Sequence, residues 1–178
     1  VSVETMNVRL EMYIRTVMEH VYGGPYGHCV YSWVVVNEHL HADASFSGWL
    51  KVYGDERLTP RYVKHAFFVA DDVLRKYGIR DEVSLILNDF ETYLTINGRN
   101  MVRDTLAVLE YVNSDGVICD TIGMESHMDT NVPIAGKIKP TILAFLEAGY
   151  KVHLTETQVN IQIPETGKYK TLSSFLEY

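Results

Sequence analysis

Four short strand-like runs alternate with stretches whose apolar residues recur every three or four positions, and that alternation leaves few folds open to this chain. The runs span residues 29–36, 83–87, 117–122 and 151–155. The first is apolar except for Ser32 and reads as a strand buried on both faces. A helix precedes it, with Leu10, Tyr13, Ile14, Val17, Met18 and Val21 on one stripe and Gly23-Gly24-Pro25 as its stop. Thr59-Pro60 then supplies an N-cap and a first-turn proline for a helix carrying Tyr62, Ala66, Val69, Ala70, Val73 and Leu74 inward, closed by Gly78. Val102, Leu106, Leu109 and Val112 mark the next helix, and Ile138, Ile142, Phe145 and Leu146 the one after, stopped at Gly149. A last helical segment is expected from about residue 171 to the C-terminus.

Buried strands alternating with amphipathic helices build a parallel sheet covered on its faces. An open, doubly wound sheet would announce itself by a glycine-rich strand-to-helix turn, and neither G-x-G-x-x-G nor a Walker motif occurs. Gly23-Gly24 follows a helix, so it reads as a helix stop. The expected fold is therefore a parallel (β/α)8 TIM barrel. A complete barrel takes roughly 250 residues. The 178 residues present, with four strand–helix units, read as a single partial catalytic barrel domain, 1–178.

A net charge of -7 argues against a nucleic-acid partner, which needs clustered Lys and Arg. A neutral substrate suits this balance, and twelve Tyr with two Trp offer flat faces on which sugar rings stack. No apolar stretch approaches the roughly 20 residues of a membrane span. Cys29 and Cys119 each lie inside a hydrophobic run and read as buried free thiols. His39-x-His41 lacks a third ligand, and no metal or cofactor is expected. The chain opens on Val1, so its start reads as a fragment boundary and the lack of a signal peptide does not bear on export.

Active sites of such barrels lie where strands end and the following loops begin. Those positions hold Asn37-Glu38, Asn88-Asp89, Glu125-Ser126-His127 and Glu156. Carboxylates and amides on the same end of successive strands suit general acid–base chemistry. The connection after Glu38, running to Thr59, is long and reads as a structureless functional loop.

These residues carry a resemblance to a known family. Trp33-Val34-Val35-Val36-Asn37-Glu38 resembles W-D-V-V-N-E, the acid/base strand of the family 10 glycoside hydrolases, endo-β-1,4-xylanases. Trp49 and Gly54 resemble the next loop of that family, and Leu87-Asn88-Asp89-Phe90 resembles Y-N-D-Y. Ile122-Gly123-Met124-Glu125-Ser126-His127 is similar to I-G-L-Q-S-H, and Leu154-Thr155-Glu156 to the nucleophile strand I-T-E. The resemblance implies a retaining endo-acting hydrolase of xylan or xylo-oligosaccharides, with Glu38 as acid/base and Glu156 as nucleophile. It also implies that Asn37 bonds the sugar 2-hydroxyl and His127 the nucleophile, with Asn88 and Glu125 also on the substrate-binding side. A polymeric substrate implies secretion or a cell-surface location.

The resemblance covers barrel strands four to seven; strands one to three and eight have no counterpart here. A half barrel exposes two sheet edges, so a further segment is expected to complete the sheet, and the 178 residues alone are expected to be inactive or weakly active. Val34, Phe90, Glu125 and Gln158 stand where the family has Asp, Tyr, Gln and Asp. The alternative function is a non-catalytic xylan-binding remnant of such a barrel.

Overall fold

The computed structural model describes residues 1–42, 45, 47–54, 56–129 and 135–160. Helix α1, Val3–Gly23, starts where the Ser2 hydroxyl accepts from the Thr5 N–H and leads into strand β1, Ser32–Asn37. A short helix α2, Gly48–Tyr53, precedes α3, Arg61–Lys76, and strand β2, Ser84–Asp89. A two-residue hairpin, β3 (Thr95–Ile96) with β4 (Arg99–Asn100), feeds α4, Met101–Val112. Strand β5, Thr121–Asp129, helix α5, Ala135–Glu147, and strand β6, Lys151–Asn160, complete the described order. No helix among the described residues is long and apolar enough to cross a membrane.

The four long strands form one sheet in the order β1-β2-β5-β6, every pair parallel. Strand neighbours follow chain order and each crossover carries a helix, as in a slice of a barrel wall. Helix α3 buries Val63, Phe67, Ala70, Val73 and Leu74 against Leu85 and Leu87 of β2, Val108 and Leu109 of α4, and Ile122 of β5. At the end of the sheet away from the strand-end acids, buried Asp71 accepts from Arg80 at 2.5 Å and from Arg75 at 2.6 Å. Arg80 donates also to the carbonyls of Val83 and Ile118, so one guanidinium ties α3 to the segments entering β2 and β5.

Several sequence expectations need correction. Cys29 belongs to a one-turn 3-10 helix, Gly27–Cys29, and is exposed; only Cys119 is buried, and burial pushes its thiol up to about 12. Strand β1 is not buried on both faces: among the described residues it pairs on one side only, and Val34 is 46% exposed. The third strand starts at Thr121, and Val117 is 69% exposed. The Asn113 side chain explains this, since it accepts from the N–H groups of Ile118 and Cys119 and donates to the Cys119 carbonyl, claiming groups a ladder would need. The connection after Glu38 is not structureless, because it holds the turn His39–His41 and α2. Helix α3 begins at Arg61 with Pro60 in the capping position, one residue later than expected. The helical segment expected from about residue 171 lies outside the described residues.

Candidate active site

Glu38 directly follows β1, whereas Glu125, His127 and Glu156, expected just past strand ends, lie inside β5 and β6, which run on to Asp129 and Asn160. Among the described residues, Glu38 and Glu156 are two of four non-glycine residues with left-handed φ, at 54° and 49°. Such a conformation is uncommon for glutamate and persists where the surroundings impose it. At Glu38 the imposition is a hydrogen bond from its N–H to the Asn88 carbonyl, 2.9 Å, after β1 has left the ladder. At Glu156 it is an irregular register: Glu125 stands opposite Thr155, but His127 stands opposite Gln158, so β6 carries one extra residue there. The bulge re-aims the Glu156 side chain without ending the strand.

Asn88, fully buried at the end of β2, is the hub of the site. Its amide nitrogen lies 2.6 Å from Asn37 Oδ1, 2.9 Å from Glu125 Oε1 and 3.0 Å from Glu156 Oε1. Two N–H groups thus serve three acceptors from three other strands. The amide oxygen accepts from the Thr155 hydroxyl, which fixes which way the amide faces. Gly123 on β5 makes this placement possible, because a Cβ there would collide with the Asn88 amide. His127 Nε2 lies 3.3 Å from Glu156 Oε2 and 3.7 Å from Glu125 Oε2. Asn37, Asn88, Glu125, His127 and Glu156, read from four separate stretches of sequence, therefore form one connected cluster.

Electrostatics within it are uneven. Burial, reinforced by the charges of Glu156, Glu38 and Asp89, pushes the Glu125 carboxyl up to about 7, with His127 acting in the opposite direction. A carboxyl in that range exchanges its proton near neutrality.

Glu38 and Asn37 also line a cleft of about 480 Å3 with His41, Trp49, Tyr62 and Phe90, whereas Glu125, His127 and Glu156 lie outside that cleft. Trp49 stacks on Tyr62 with centroids 5.2 Å apart, and His41 stacks on Phe90 at 3.6 Å. His41 Nδ1 is 2.6 Å from Asp89 Oδ1, and Asp89 also accepts from the N–H groups of Leu40 and Phe90. His41 was not singled out from the sequence, where it figured only as half of a His-x-His pair; nothing in its spacing signals a carboxylate 48 residues away. Its companion His39 is buried and structural. Its Nε2 donates to the Arg57 carbonyl, so its Nδ1 accepts from the Tyr62 hydroxyl.

Comparison with known proteins bears directly on this arrangement. The model of glycosyl hydrolase family 10 matches residues 1–175. The chain belongs to glycosyl hydrolase family 10. Among similar proteins, endo-1,4-beta-xylanase A of Butyrivibrio fibrisolvens is 38% identical over 159 residues, covering 89% of this chain and 37% of the relative. A putative endo-1,4-beta-xylanase of Caldicellulosiruptor saccharolyticus is 28% identical, over 94% of this chain and 52% of its own length. The solved family 10 xylanase from Bispora sp. MEY-1, with xylobiose, superposes with a TM-score of 0.76 at 22% identity, over 99% of this chain and 49% of that one. The intracellular xylanase of Thermoanaerobacterium saccharolyticum gives 0.75 at 23% identity, with the same coverage. The fold is that of the family 10 (β/α)8 barrel, and the chain spans about half of it.

Proposed function

We propose that this chain carries the catalytic carboxylates of a retaining endo-1,4-β-xylanase. Family membership and relatives described as endo-1,4-beta-xylanases support the reaction class. The observation that carries the reading is the Asn88 amide shared by Asn37, Glu125 and Glu156, with His127 on the other oxygen of Glu156. A nucleophile must be held before the substrate arrives, and a carboxylate tethered through both oxygens is so held.

In this reading Glu38 gives its proton to the glycosidic oxygen as a Glu156 oxygen attacks the anomeric carbon. The bond to the leaving sugar breaks and a glycosyl ester forms on Glu156. Water then attacks the same carbon, Glu38 takes the proton, and Glu156 is released, so two inversions leave the configuration retained. This requires the two carboxyl groups to stand about 5–5.5 Å apart with substrate bound. Asn37, one residue before Glu38, bonds the 2-hydroxyl of the sugar under attack. Trp49, Tyr62 and Phe90 offer rings beside Glu38 on which a neutral xylose unit packs. A polymeric substrate argues for action outside the cell.

Strands β1 and β6 each pair on one side only among the described residues. The remaining barrel strands of the whole protein complete the sheet and the substrate groove. Reducing-sugar release from xylan by the full-length protein tests the proposal. Release that disappears in Glu156→Ala supports it; binding to insoluble xylan without release supports a non-catalytic xylan-binding remnant instead.

A further inference from the structure

Glu125, His127 and Glu156 do more than share hydrogen bonds. Asn88 takes up Oε1 of both carboxylates. The other oxygen of each, Oε2, is left facing the same imidazole nitrogen, at 3.7 Å for Glu125 and 3.3 Å for Glu156. All three donor atoms lie within 4.8 Å of one another. Ligands about 2.1 Å from a tetrahedral zinc ion stand about 3.4 Å from each other. Both distances to His127 Nε2 fall near that edge length.

We propose that Glu125, His127 and Glu156 form a binding site for a divalent transition metal of zinc type, and that its occupation takes the Glu156 carboxylate out of use. Two carboxylates balance a dication, and an imidazole nitrogen beside them selects zinc-like ions over magnesium or calcium, which prefer all-oxygen shells. Asn88 serves as the outer partner that orients both carboxylates, a role that strengthens metal sites elsewhere. The Glu125 side chain is 2% exposed, whereas those of His127 and Glu156 are 45% and 46% exposed. The site is therefore anchored at depth and open at the surface, which provides an entry path and leaves the fourth position to water. In the I-G-L-Q-S-H pattern a glutamine occupies the position of Glu125; its neutral amide would supply neither the charge nor an anionic ligand, so the glutamate creates the site.

The inhibitory consequence rests on Glu156 acting as nucleophile, but metal binding does not. The experiment titrates Zn2+ into the full-length protein in chelator-stripped buffer, by calorimetry, with Co2+ absorption as the report of tetrahedral coordination. One ion per chain is expected, with affinity weakened at least about tenfold in Glu125→Gln and in His127→Gln. His127 is at the surface, so its variant keeps the fold even if the buried position does not tolerate change. No binding, or equal affinity in wild type and His127→Gln, overturns the site. Binding that leaves xylan cleavage unimpaired overturns the inhibitory step and counts against Glu156 as nucleophile, while the site itself stands.

Discussion

Asn88 Nδ2 stands 3.0 Å from Glu156 Oε1, so a buried amide near the end of β2 orients a carboxylate two strands away, at the bulge within β6. The same amide reaches Asn37 beside Glu38, which makes it the physical link between the two glutamates on which the proposed chemistry depends.

Removing that link gives the first prediction. Asn88→Ala removes the amide partner of Asn37, Glu125, Glu156 and the Thr155 hydroxyl, at a cost of about 1–3 kcal/mol in stability. Its larger effect falls on the chemistry. We expect kcat/KM on xylan to drop at least about 100-fold, because a misdirected nucleophile loses its attack geometry. Denaturant unfolding and steady-state kinetics on the full-length protein check both figures; an unchanged kcat/KM would remove Asn88 from the account.

Glu125 supplies a pH dependence of stability. Its carboxyl titrates at about 7 in the folded chain, against an ordinary value of 4.5. Between those values the folded protein holds a proton that the unfolded chain has released, so stability falls as pH rises through this window. Glu125→Gln lacks that ionisation. In chelator-stripped buffer the variant should match wild type below about pH 4.5 and become progressively more stable up to about pH 7. Melting temperatures of both proteins across pH 4–8 measure it, and a difference that does not change with pH contradicts the assignment.

Arg80 gives a stability prediction away from the site. Arg80→Leu removes the closer partner of buried Asp71 and the donor to two carbonyls, Val83 and Ile118. Loss of about 3 kcal/mol is expected in urea unfolding, the scale of breaking a buried ion pair from one side. Arg75→Leu, at an exposed partner of the same Asp71, should cost under about 1 kcal/mol.

Residues 1–178 assayed alone should turn over xylotetraose at least about 1,000-fold more slowly than the full-length protein. Among the described residues β1 and β6 each pair on one side only, and in the proposed reading the remaining barrel wall supplies further sugar-positioning groups. Comparable turnover by the two proteins would show that the missing wall plays no part.

The sheet was legible because parallel strands are buried and their crossover helices are amphipathic, two patterns that local sequence carries. Asn37, Glu125 and Glu156 were legible together because each lies toward the C-terminal side of a parallel strand, where such a fold gathers polar groups, although β5 and β6 continue past Glu125 and Glu156. What sequence concealed depends on contacts between distant residues. Asn113 delaying the start of β5, Asp89 holding His41 on Phe90, and the left-handed backbone at Glu156 all arise from tertiary pairing. Cys29 was misread for a related reason: an apolar neighbourhood marks a segment as buried only if the backbone continues as strand, and here it turns.

The most direct test of the central claim is trapping of the glycosyl-enzyme. The full-length protein is incubated with a 2-deoxy-2-fluoro xylobioside bearing a dinitrophenyl leaving group, digested, and mapped by mass spectrometry. The account predicts stoichiometric inactivation with the added mass on Glu156, and no adduct in Glu156→Ala. Turnover of xylan by a protein that forms no adduct, or an adduct on Glu38 or Glu125 in place of Glu156, would contradict it.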